Sequence, residues 1–189
     1  MKIAVLGGTF DPIHIGHLFL AEEVLALGYG RVIFVPSFKP AHKDVGAKDN
    51  PALRLEMTRL ACAGRPEFIV EDCEILRGGT SYTIQTIDYL CGKYDLSEKP
   101  GLVIGDDLVA GFRHWKKAED LKKAVKVIIA HRMTKEKIPF EGDHLYVENS
   151  ILPLSSSEIR HRISAGKVYR YLIPEAVYGF IHSRGLYLE

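Results

Sequence analysis

The residues best equipped for chemistry lie close to the N-terminus, in the stretch "GGTFDPIHIGH" from Gly7 to His17. A glycine pair is followed by Thr9, an Asp-Pro step, and two histidines three positions apart with Gly16 between them. Glycines without Cβ atoms let a ligand approach the main chain closely. Histidines at this spacing share a face at the start of a helix, and Gly16 removes a side chain that would crowd it. A helix start also offers unpaired N–H groups and the positive end of its dipole, which suit a phosphate. Two imidazole donors beside free amides therefore make a polyphosphate cradle. Metal ligation and core packing are the competing uses of such a pair. A zinc site wants a third ligand at suitable spacing, and no HExxH occurs. Neither GxxxxGK[ST] nor GxGxxG is present, so the common nucleotide loops do not account for the stretch.

Bulk properties leave phosphate recognition to local geometry. The 189 residues suffice for one well-buried core, and a single domain over 1–189 is the default. A net charge of +1 provides no basic field for nucleic acid or membrane. Cys62, Cys73 and Cys91 are odd in number and widely spaced, which argues against a disulfide framework or a CxxC zinc site. Buried free thiols in a reducing compartment are the plainer reading. One lysine and then four apolar residues lead to Gly7-Gly8, too few for a signal peptide, and no apolar run approaches the roughly 20 residues of a membrane span. A cytoplasmic protein is expected, without nucleic-acid or membrane partners, and a homo-oligomer is left open.

Strands and helices must position the cradle. "KIAVLGG" reads as a buried strand closed by glycines, and "HIGHLFLAEEVLALG" as a largely buried helix ending near Gly28. "RVIFVP", "EFIVED", "GLVIGDD", "VKVIIAHR" and "HLYVE" are the further strands. "PALRLEMTRLACAG", "SYTIQTIDYLCGKY", "AEDLKKA", the segment 156–165 and the segment 174–182 are the further helices. Residues 37–50 are polar and read as a loop. Alternation of this kind predicts an α/β fold: a Rossmann-like, doubly wound, mostly parallel sheet with helices on both faces. Ligands bind at the strand C-terminal edge of such sheets, where Gly7 and Gly8 fall.

A second motif lies near the C-terminus, "LSSSEIR" from Leu154 to Arg160. Serines at a helix N-cap present hydroxyls and amides, and Arg160 adds a cation one turn later. "GGTFDPIHIGH" resembles the signature of the HxGH nucleotidyltransferase superfamily, and "LSSSEIR" resembles its I-S-S-[ST]-x-[IV]-R motif, with leucine first and serine fourth. Three more segments are similar to the bacterial nicotinate mononucleotide adenylyltransferase branch: "PSFKPAHK" from Pro36, "RGGTSYTIQTI" from Arg77, and "VIGDDLVAGFRHW" from Val103.

The resemblance implies adenylyl transfer from ATP to nicotinate mononucleotide, giving deamido-NAD and pyrophosphate in NAD biosynthesis. It implies Mg²⁺ carried on the ATP phosphates, with no metal ligands from protein side chains. Catalysis would rest on His14, His17, Lys43 and Arg160. ATP would be held by Gly8, Thr9, Phe10, His14, His17, Gly105, Asp107, Ser155, Ser156 and Arg160, with residues 155–189 completing its site. The mononucleotide would meet Lys43, Tyr82, Thr83 and Trp115. Taken alone, Lys43 reads as a solvated loop charge, Trp115 as core, and Asp106-Asp107 as a helix cap. Arg54, Arg132 and Arg162 are further cations that the sequence gives no reason to choose. Pantetheine-phosphate and nicotinamide mononucleotide adenylyltransferases are the neighbouring readings, and a non-catalytic nucleotide sensor is the reading from another class.

Overall fold

The structure, a computed structural model, describes residues 1–41 and 49–188. Strand β1 (Ile3–Gly8) runs through the middle of a six-stranded sheet. Its neighbours are β2 (Arg31–Pro36) on one side and β6 (Gly101–Gly105) on the other. Strand β4 (Phe68–Val70) extends the first side, and β7 (Lys126–Ala130) and β8 (His144–Val147) extend the second. Every pairing in this sheet is parallel.

Residue alternation in β1 explains why both sheet faces are covered. Ala4 and Leu6 enter a core built with α1 (Ile15–Ala26), α2 (Pro51–Cys62), α6 (Ser156–Ser164) and α7 (Glu175–Arg184). Ile3 and Val5 enter a second core with α3 (Cys73–Arg77), α4 (Thr83–Tyr94) and α5 (Ala118–Ala124). A strand apolar at every position must bury both faces, and parallel crossovers supply the helices that do so. The chain winds from β1 through β2 to β4, then returns to β6 beside β1 and winds the other way. That reversal opens a crevice beyond the C-terminal ends of β1 and β6.

The expected doubly wound fold is therefore present, with some differences in detail. The polar loop after Pro36 contains a two-residue strand, β3 (Lys39–Pro40), paired in parallel with β5 (Thr80–Ser81). Ser81 thus belongs to a strand, and α4 starts two residues later than the sequence pattern indicates. The short α3 was hidden within a run that has no readable helical period. The final helix continues to Arg184. Among the described residues, no helix is long and apolar enough to cross a membrane.

Candidate active site

A cavity of about 470 Å³ opens at the crevice and joins most of the residues singled out above. Its lining includes Gly8, Thr9, Phe10, His14 and His17 from the β1–α1 connection. Gly105 and Asp107 line it from the end of β6, and Ser155 and Ser156 from the start of α6. Tyr82, Thr83 and Trp115 line it as well, although they lie far from Gly7–His17 in sequence. Lys43 lies outside the described residues.

The histidine pair is held by the helix start itself. His14 is the N-cap of α1, with extended backbone, and His17 is the third residue of the helix. Their rings stack with centroids 3.7 Å apart. The His14 main-chain N–H donates to His17 Nδ1 at 3.2 Å. A neutral imidazole whose Nδ1 accepts must carry its proton on Nε2, so His17 is a fixed Nε2 donor. His14 Nδ1 is buried and has no partner among the described residues. A Cβ on Gly16 would come within 3.0 Å of that nitrogen, so only glycine leaves the stack undisturbed. Phe10 sets its ring edge-on to His17 at 5.0 Å and takes a positive φ of 51° to do so. Left-handed backbone at a bulky residue is uncommon outside functional sites.

Electrostatics keep both rings neutral in the free protein. Burial pulls the His14 pKa down to about 4, and the nearby Arg132 guanidinium adds to the effect. His17 is held well below the ordinary histidine value, first by burial, then by His14 and Arg132. Two neutral donors can meet an anion without first expelling a bound counter-charge.

The second motif closes the same loop from above. Ser155 caps α6 by accepting the Glu158 N–H at 3.1 Å. Ser156 Oγ donates to Pro12 O at 2.9 Å. Arg160 donates to Asp11 O at 2.7 Å and to Ser157 Oγ at 3.2 Å. It is not among the residues lining the cavity, and its described contacts are with the Asp11 loop and Ser157. Tyr187 adds a bond from its phenol to Asp11 Oδ1 at 2.6 Å. Burial, then the Asp11 charge, raises the Tyr187 pKa, so the phenol keeps its proton.

Nothing in the residue pattern distinguishes Arg132 from the other arginines, yet the fold brings it to the cavity. It lines the cavity and pairs with Asp107 at 3.2 Å, above Gly105. A Cβ on Gly105 would sit 2.1 Å from Asp107 Oδ1 and 2.5 Å from Arg132 Cδ. Asp106, the neighbour of Asp107, is buried and accepts the N–H groups of Arg132, Met133 and Thr134. Its carboxylate fixes the turn that presents Arg132. Arg54 is 1% exposed and braces the loops by donating to Thr9 O, Phe38 O and Asp49. Arg162 instead bonds Glu158 and Val168 O, away from the cavity lining.

At the far end, Trp115 stacks on Phe112 with centroids 4.8 Å apart. Lys116, Glu74 and Thr86 also line the cavity and were not singled out from sequence. The Thr86 hydroxyl donates to Glu74 and accepts from Arg77 at 3.4 Å. "RGGTSYTIQTI" contains Thr86 and Arg77, but only the fold brings Glu74 against them. Among the described residues no group of three or more His, Cys, Asp or Glu is arranged to hold a metal ion.

Comparison with known proteins places the chain in a family. Residues 5–162 match the cytidylyltransferase-like family model. A Borreliella burgdorferi protein named probable nicotinate-nucleotide adenylyltransferase is 41% identical, covering 100% of this chain and 98% of its own length. A Treponema pallidum protein of the same name is 37% identical, covering 99% of each chain. A solved Plasmodium falciparum nicotinic acid mononucleotide adenylyltransferase complexed with NaAD superposes with a TM-score of 0.80. It covers 100% of this chain and 99% of its own, and at 19% identity it speaks to the fold alone. With its family model spanning most of its length and its relatives matching end to end, the chain belongs to the cytidylyltransferase-like family.

Proposed function

We propose that the protein transfers the adenylyl group of MgATP to the 5′-phosphate of nicotinate mononucleotide, releasing deamido-NAD and pyrophosphate as a step of NAD biosynthesis. One observation carries this reading: a single cavity joins the His14–His17 pair and the α6 serines to Trp115 and Tyr82-Thr83. Both substrates then lie end to end, with their phosphates meeting at the β1 turn. The names of the full-length relatives support the same reaction.

An oxygen of the mononucleotide phosphate attacks the α-phosphorus of ATP, and the bond to the bridging oxygen of pyrophosphate breaks. With a second pKa of about 6, the attacking phosphate is largely ionised near neutral pH and needs no base. The protein's task is to align two anions and to stabilise charge on the α-phosphate and the leaving group. His17 donates through Nε2 to the transferring group, beside His14. Ser155, Ser156 and the α6 amides receive the distal phosphates, while Arg160 holds the Asp11 loop that faces them. Gly8, Thr9 and Phe10 lie along the nucleotide, with Gly105 and Asp107 at its ribose; Lys43 would counter the charge of the two substrates, as the resemblance implies. Trp115 stacks on the pyridine ring, and Tyr82-Thr83 meet its carboxylate. Magnesium bound with ATP would supply charge neutralisation at the phosphates and would be held mainly by them, with no protein side chain called on as a ligand. In this reading residues 1–189 form one nucleotidyltransferase domain in which 155–189 complete the ATP side, and the reaction takes place in the cytoplasm.

The test is pyrophosphate release from MgATP with nicotinate mononucleotide, nicotinamide mononucleotide and 4′-phosphopantetheine as acceptors. Fastest turnover with nicotinate mononucleotide is expected. Preference for phosphopantetheine would overturn the acceptor, and ATP binding without pyrophosphate release from any acceptor would mark a nucleotide sensor.

A further inference from the structure

The placement of Lys116 bears on how the acceptor is chosen. It directly follows Trp115 and lines the same cavity as Tyr82, Thr83 and Trp115. Its ammonium lies over the face of the Tyr82 ring, 3.9 Å from the centroid. Other lysines find carboxylates: Lys93 pairs with Glu71, Lys122 with Glu119 and Lys137 with Glu148. Lys116 has no such ion pair among the described residues, and the aromatic face is its partner instead. Lys116 is exposed, so the ring face orients its ammonium without burying it or supplying an opposite charge. An anion arriving in the cavity thus meets an ammonium already held at its wall and not committed to a carboxylate among the described residues.

Nearby groups reinforce the sign of this end of the cavity. Tyr82 is the N-cap of the 12-residue α4, which has no side-chain cap and no acidic residue in its first turn. No acidic residue of α4's own first turn opposes the positive end of that helix. Glu74 is the carboxylate that lines the cavity near α4, and it is engaged by the Thr86 hydroxyl that also accepts from Arg77.

We infer that Lys116 is a specificity-determining residue that favours an acceptor whose pyridine ring carries a carboxylate over one carrying a carboxamide. The inference rests on the reading that the acceptor ring stacks on Trp115. The two acceptors are nearly equal in size, so packing on Trp115 separates them poorly. A full negative charge beside Lys116 distinguishes them directly, while a neutral amide gains little from the ammonium.

The experiment measures kcat/KM for nicotinate and nicotinamide mononucleotides with saturating MgATP, using wild type, Lys116→Met and Lys116→Arg. Lys116→Met is expected to lower kcat/KM for the acid about fivefold or more while leaving the amide essentially unchanged. Lys116→Arg should retain most of the discrimination, and added potassium chloride should reduce the wild-type preference through screening. Melting temperatures of the three proteins should agree. Equal losses on both acceptors, or no loss on the acid, would overturn the role of Lys116. Failure of the wild type to use either pyridine mononucleotide would instead overturn the functional reading itself.

Discussion

Tyr187 and Asp11, 176 positions apart in the chain, are joined by a 2.6 Å hydrogen bond from phenol to carboxylate. Arg160 reaches the same aspartate through its main-chain oxygen at 2.7 Å and its carboxylate at 3.5 Å. The loop between β1 and α1 is therefore clamped by two residues contributed from the C-terminal part of the chain. Tyr187→Phe removes one arm of this clamp and leaves Arg160 in place. It should cost about 1 kcal/mol of stability, visible as a melting point a few degrees lower. The KM for ATP should rise while that for the mononucleotide holds. An unchanged melting point and unchanged ATP kinetics would show that the clamp does not matter.

His17 is expected to act in the transition state. Its Nδ1 is occupied by the His14 N–H, so only Nε2–H remains to meet a phosphate. His17→Ala should reduce kcat by about 10²-fold or more, as removal of a preorganised donor does elsewhere. Circular dichroism would verify folding, and near-wild-type turnover by a folded variant would refute the assignment.

The neutral histidine pair also gives a pH dependence of stability. The His14 pKa falls from the ordinary 6.5 to about 4 on folding, chiefly through burial, so the unfolded chain binds the extra proton first. Its contribution is complete above pH 6.5 and is lost as pH falls through the folded value. By pH 5 the loss should reach about 2 kcal/mol. Melting temperatures of the ligand-free protein from pH 8 to pH 5 should fall, and His14→Asn should flatten that slope. A parallel slope in the variant would assign the acid sensitivity to other groups.

Trp115 should act on the mononucleotide alone. Its ring stacks on Phe112 and lines the cavity at the α4 end. Trp115→Ala should raise the KM for the mononucleotide with ATP affinity little changed, and Trp115→Phe should recover part of the loss. Equal mononucleotide affinity across the three proteins would remove the stacking role.

Gly105 tests the nucleotide side. A methyl group there would lie 2.1 Å from Asp107 Oδ1 and 2.5 Å from Arg132 Cδ, so the ion pair must shift. Gly105→Ala should weaken ATP binding about tenfold, read by titration with a non-hydrolysable analogue. Unaltered affinity would mean that the Asp107–Arg132 pair has no part in holding the nucleotide.

Local pattern in the sequence was enough to determine much of this protein. Apolar runs marked the strands of the large sheet, with β1, β2 and β6 closed by glycine or proline, because a strand buried on both faces must be apolar throughout. Gly7 to His17 and Leu154 to Arg160 pointed to a candidate phosphate site, since helix starts and bare backbone are local devices, and the fold brings residues of both to one cavity. The sequence could not show which cations reach the cavity. Arg54, Arg132 and Arg162 look alike in a string of letters. Yet the fold buries Arg54 as a brace, sets Arg132 over Asp107 and leaves Arg162 paired with Glu158. Arg160 was legible as a motif residue, while its attachment to Asp11 and the convergence of Tyr187 on the same carboxylate were not. Lys116 on Tyr82 and Glu74 against Thr86 were hidden for the same reason. A side chain's partner is set by where distant segments cross, and those crossings exist only once both sheet faces are packed and the chain has reversed beside β1.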